Sequence, residues 1–123
     1  MTQPLAMVFY ERLMPGSQLV NRLQDLNYRV LALNNLALLA ATAKRETPLL
    51  LLVDLASRGE VCAVIQKIKT DPASAHLPVI AFAPDDQPAL LTAAEKAGAN
   101  FTVGETALAS HLPQVVDRAI HVE

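Results

Sequence analysis

Cysteine is nearly absent from this 123-residue sequence: Cys62 stands alone. No intrachain disulfide can form, and a reducing cytoplasm is the expected setting. Cys62 also lacks partners for a metal site and reads as a small core residue on a helix. Glycine is scarce, with 4 residues, and none falls into GxGxxG or GxxxxGK spacing, so the phosphate-cradling loops are excluded. There is no Trp, and 2 Tyr with 3 Phe provide no platform for stacking bases. With 10 basic against 12 acidic residues, no basic surface is expected and no nucleic-acid partner follows. No apolar run approaches the ~18 residues needed to span a bilayer, and Met1-Thr2-Gln3-Pro4 lacks the basic region of a secretory signal. No membrane partner is expected. His76, His111 and His121 are scattered, in neither triad order nor metal-ligand spacing, and read as surface residues.

Apolar residues, by contrast, make up 52% of the chain, enough for one packed core. No repeat, linker or low-complexity segment interrupts them. One domain over residues 1–123 is expected, with no output domain. The pattern centres on Pro48-Leu-Leu-Leu-Leu-Val-Asp54-Leu55, an apolar run that stops at one carboxylate. Without polar alternation, such a run reads as a strand buried on both faces. Asp54 is then either a turn residue or a functional carboxylate at the carboxyl end of a strand, where open parallel sheets place their chemistry.

The rest of the chain alternates strand and helix signals. Leu5–Tyr10 reads as a first strand. Pro15-Gly16-Ser17 reads as a helix start with Ser17 as N-cap, and Asn27 can close that helix. Tyr28–Leu33 is a second strand, and Asn34-Asn35 cap a helix that Thr47-Pro48 stops. Gly59-Glu60 open a third helix that ends at Asp71-Pro72. Leu77–Ala83 is a fourth strand. The loop Pro84-Asp-Asp-Gln-Pro88 leads to a helix closed by Gly98. Asp85-Asp86 reads as capping that helix rather than as a metal ligand set. Asn100–Val103 is a fifth strand, followed by a last helix with Ser110 as N-cap and Pro113 in its first turn. Alternation of this kind predicts an α/β fold with right-handed crossovers. Its sheet is expected to be five-stranded, parallel and flavodoxin-like in order, 2-1-3-4-5, with helices on both faces. Strands 1 and 3 would be adjacent, bringing Glu11 and Asp54 to one edge.

Three segments, in this order and spacing, resemble the receiver domains of bacterial response regulators: Pro48–Leu55, Ile68-Lys-Thr-Asp-Pro-Ala-Ser-Ala-His-Leu-Pro-Val-Ile80, and Ala97-Gly-Ala-Asn100. The resemblance runs from Leu5 to Ile120. It implies the (βα)5 receiver fold and a role in two-component (phosphorelay) signal transduction, without enzymatic activity beyond self-phosphorylation from a phosphodonor. It implies a protein partner, a histidine kinase or another signalling protein, and allows a homodimer. A small flavodoxin-like enzyme or nucleotide binder is the weaker alternative, because no phosphate loop is present.

A receiver site, by the resemblance, has a pair of acids after strand 1 that help hold Mg²⁺, a phosphoacceptor Asp after strand 3, a hydroxyl after strand 4 and a Lys after strand 5. Asp54 matches the phosphoacceptor. The acid pair falls on Tyr10 and Glu11, the hydroxyl on Ala83 and the Lys on Glu105. The switch aromatic of strand 5 falls on Thr102, with Phe101 beside it. Glu11, Asp54 and Glu105 would form an acidic pocket lacking the usual ammonium. Arg12 and Arg58 are candidate compensating cations, although solvated loop charge is the favoured reading of both. Mg²⁺ binding through Glu11 and Asp54 is expected to be weak. The expectation is therefore a pseudo-receiver, a protein-interaction module with impaired Asp phosphorylation. The alternative is a working Mg²⁺-dependent phosphoacceptor that uses Asp54 in a rearranged site.

Overall fold

A computed structural model describes residues 3–57 and 59–120. Arg58 and His121 lie outside these residues. The chain runs β1 (Leu5–Phe9), α1 (Leu13–Asp25), β2 (Arg29–Leu33), a 3-10 turn (Leu36–Leu38), α2 (Leu39–Glu46), β3 (Leu50–Asp54), α3 (Val61–Thr70), β4 (Val79–Ala83), α4 (Pro88–Ala97), β5 (Phe101–Gly104), α5 (Glu105–Ser110) and α6 (Leu112–Ile120). The strands form one five-stranded sheet in the order β2-β1-β3-β4-β5, every pairing parallel. This is the expected receiver-like, flavodoxin-like topology.

The two central strands β3 and β4 are buried at every position, which explains their uninterrupted apolar sequences. The edge strands β2 and β5 have no fully buried residue. Side-chain alternation divides the core between the two faces. Leu51 and Val53 join Ile65 and Ile68 of α3 and Ala94 of α4 in one cluster. Leu50 and Leu52 join Leu19 and Leu23 of α1, Leu108 of α5 and Val116 of α6 in the other. Phe9 of β1 pairs with Val53 of β3, so the chain leaves β1 beside the end of β3, the edge expected for Glu11 and Asp54.

Local capping departs from the sequence reading at several points. Helix α1 begins at Leu13, ahead of Ser17; its N-cap is Arg12, with no side-chain cap bond. Pro15 is tolerated because the first-turn amides have no helical acceptor. Asn27 does leave the helix in the left-handed region, at φ 70°. Helix α2 is entered through the 3-10 turn, where Asn35 Oδ1 accepts from the Ala37 amide at 3.0 Å. Beyond β5 a helix starts at once: α5 occupies Glu105–Ser110, so Ser110 ends one helix instead of capping the next. Gly98 is the left-handed C-cap of α4, at φ 110°.

The Asp85-Asp86 loop explains the unexpected helix. Asp85 does not cap α4, whose N-cap Gln87 makes no side-chain bond and is followed by Pro88. It reaches across to α5 instead. Asp85 Oδ1 accepts from the Thr106 amide at 3.4 Å, and its other oxygen accepts from the Thr106 hydroxyl. An acidic side chain at a helix N-terminus satisfies orphan donors and suits the dipole.

Candidate functional site: a buried carboxylate held by arginine

Asp54 follows Leu50 and Leu52 onto the sheet face covered by α1, α5 and α6. Its side chain is 0% exposed. A buried carboxylate needs partners for both oxygens, and Arg12 provides most of them. Arg12 Nε donates to Asp54 Oδ2 at 2.8 Å, and Arg12 Nη2 donates to Asp54 Oδ1 at 2.8 Å. The Ala56 amide also donates to Oδ1, at 3.0 Å. The same Nη2 reaches Glu105 Oε2 at 3.0 Å. One guanidinium thus joins the loop after β1, the last residue of β3 and the first residue of α5. Forked, charge-assisted pairing of this kind is the strong, geometrically specific mode of Arg–carboxylate contact.

Hydrogen bonding to Asp54 raises the pKa of Arg12 above its ordinary value, against burial, which lowers it; Glu105 adds to the rise. Arg12 remains a fixed cation. Its placement is unusual for a helix start: the N-cap position of α1 carries a positive side chain that makes no cap bond, and no acid occupies the first turn. That arrangement opposes the helix dipole, and the two carboxylates offset it. Glu105, in contrast, is the first residue of α5, where its charge suits the helix.

Among the positions singled out in sequence, the structure brings together Asp54, Arg12 and Glu105. Arg12 is not a solvated loop charge: its side chain is 31% exposed and engaged on both sides. Glu11 sits in the same loop but is exposed. Tyr10 turns inward, packing on the α1–α6 cluster. Its ring lies against Gly16, where an added Cβ would overlap ring carbons. Ala83 is fully buried in the opposite cluster. Phe101 does not replace the aromatic missing at Thr102. It faces the α6 layer, with the Arg118 guanidinium 5.7 Å from its ring centroid, whereas the next residue on a strand points to the other face.

Two features went unnoticed in the sequence. Gly104 borders Asp85 so closely that a Cβ would collide with its carboxylate. A cavity of about 310 Å³ lies between α1 and α5, floored by Phe82 and bounded by Glu105. Neither the role of Arg12 nor the cavity had a signal in the sequence, because both depend on tertiary packing.

No family model matches the chain, and no curated protein matches it. Solved structures do. A Chloroflexus aurantiacus protein assigned to the response regulators superposes with a TM-score of 0.88 at 15% identity, covering 97% of this chain and 98% of that one. The receiver domain of a sensor histidine kinase from Pseudomonas aeruginosa, which holds a magnesium ion in its active-site cleft, gives 0.86 at 16% identity, covering 97% and 98%. The receiver domain of NtrX from Brucella abortus gives 0.83 at 19% identity, covering 96% and 99%. At these identities the likeness establishes the receiver fold.

The magnesium ion of the Pseudomonas domain raises the question of fit. In this chain both Asp54 oxygens accept from Arg12, and no group of three or more His, Cys, Asp or Glu that could hold a metal occurs among the described residues. A guanidinium stands against the carboxylate that a cation would need, so the donor set does not fit the ion in this arrangement.

Proposed function

We propose that this chain is a receiver-type module of two-component signalling in which a protein side chain replaces the phosphorylation-dependent contacts: a pseudo-receiver that acts through protein–protein interaction. The observation that carries the reading is the forked pair between Arg12 and fully buried Asp54. To attack a phosphodonor, Asp54 would have to give up this pair. A phosphoryl group would then add about −1.5 to −2 charge beside Glu105, where an ammonium is needed. The partner is a histidine kinase or another signalling protein, or a second copy of the chain, and the setting is the cytoplasm. No described helix is long and apolar enough to cross a membrane.

Ala83 has no hydroxyl to sense a phosphoryl group, and Thr102 is not an aromatic switch. A ligand shifts a two-state equilibrium only by contacting the two states differently. The face of α4, β5 and α5 is therefore held in one conformation by the Arg12 tie and the Asp85–Thr106 tie. Beryllofluoride with Mg²⁺, a phosphoryl mimic, tests this in a backbone NMR titration. The expected spectrum shows no saturable change across α4, β5 and α5. Large changes there, lost in Asp54→Asn, would refute the reading.

A further inference from the structure

The cavity between α1 and α5 is not accounted for by the ion pair, although Glu105 belongs to both. Leu19, Phe82 and Leu108 line it and are 3%, 0% and 0% exposed. Polar and charged residues share the lining: Gln18, Arg22 and Glu105. Its volume, about 310 Å³, falls at the small end of ligand sites, which combine an apolar surface with a few convergent polar groups. An apolar wall bearing one cation and one anion matches a ligand carrying both signs on a compact apolar body.

We propose that this cleft binds a compact apolar zwitterion, an amino acid or a derivative of similar size. Its ammonium pairs with Glu105, its carboxylate pairs with Arg22, and its apolar body lies in the cleft between α1 and α5, above the buried floor of Leu19, Phe82 and Leu108. Glu105 is also the outer partner of Arg12, so an ammonium bound there competes for the carboxylate that helps hold Arg12 over Asp54. Occupancy and the ion pair are coupled, and the coupling is reciprocal. Its meaning for signalling rests on the pseudo-receiver reading; the binding does not.

L-phenylalanine is the probe, titrated into the ¹⁵N-labelled full chain and followed by NMR. A ligand of this size is expected to bind at about the millimolar level. Saturable shifts should cluster on the amides of Leu19, Arg22, Phe82 and Leu108. Phenethylamine and 3-phenylpropanoate, which keep only one charge each, should bind at least about tenfold more weakly. Glu105→Gln should lower L-phenylalanine affinity to the level of 3-phenylpropanoate, and Ala109→Trp, which fills the cleft, should abolish binding. Arg12→Ala should tighten it by releasing Glu105. Absence of saturable shifts with the wild-type chain, shifts centred elsewhere, or equal binding of the three probes would overturn the proposal. The phosphoryl-mimic experiment on Asp54 can fail without affecting these outcomes.

Discussion

Replacing Arg12 with alanine removes three hydrogen bonds at once. It strands a carboxylate that is 0% exposed, with only the Ala56 amide, among the described residues, still donating to it. Breaking a fully buried ion pair by deleting one partner costs about 3–5 kcal/mol. The full figure does not apply here, because the Arg12 side chain is 31% exposed and water can enter the space it vacates. A loss of about 2–3 kcal/mol is expected, which lowers the melting temperature of a domain this size by about 10 °C. Urea unfolding measures the free energy directly, and an unchanged m-value would confirm that the native surface is retained. Asp54→Asn should cost less, since Arg12 can rehydrate and keeps Glu105. The double variant should then fall short of the summed losses by about 1–2 kcal/mol, the coupling between groups in contact. A single-variant loss within about 0.5 kcal/mol of zero, as for an ordinary surface residue, or strict additivity in the cycle would refute the claim that Arg12 holds Asp54.

Other positions give independent checks. Gly16→Ala pushes a methyl group into the Tyr10 ring and should destabilise by about 1–3 kcal/mol in the same urea assay. Gly104→Ala collides with the Asp85 carboxylate, so it and Asp85→Ala should both raise amide exchange in the first turn of α5, with losses of about 1 kcal/mol in stability. Asp71 has a pKa below its ordinary value of 3.8, first through the Ala73 amide and then through Lys44. A depressed folded pKa gives stability that is present above the unfolded value and lost as pH falls through the folded one. Asp71→Asn should therefore flatten the decline in stability below about pH 4, as read from acid unfolding curves, and leave the curve's shape near neutrality unchanged.

Much of the architecture was legible because it depends on local pattern. The unbroken apolar run ending at Asp54 marks a strand covered on both sides, and strand–helix alternation leaves few ways to order a parallel sheet. The register that places Phe9 beside Val53 follows from that order. What escaped was settled by distant contacts. Helix α5 begins at Glu105 because Asp85, 21 positions before Thr106, satisfies its first turn; Glu105–Ser110 alone carries no comparable cap. Arg12 finds Asp54 at a separation of 42 residues, and nothing near it in sequence distinguishes a clamp from a solvated loop charge. Tyr10 was legible as a lost acid, but its packing on Gly16 was not, since that contact exists only once α1 turns back over the loop.

The central claim is that Asp54 is committed to Arg12 and is not available as a phosphoacceptor. Incubation with acetyl phosphate and Mg²⁺, followed by intact mass, tests it most directly. The account predicts little or no gain of one phosphoryl group, and more labelling in Glu105→Lys, where an ammonium supplies the missing charge and repels Arg12. Rapid, near-complete addition of one phosphoryl group to the wild-type chain, abolished by Asp54→Asn, would contradict it.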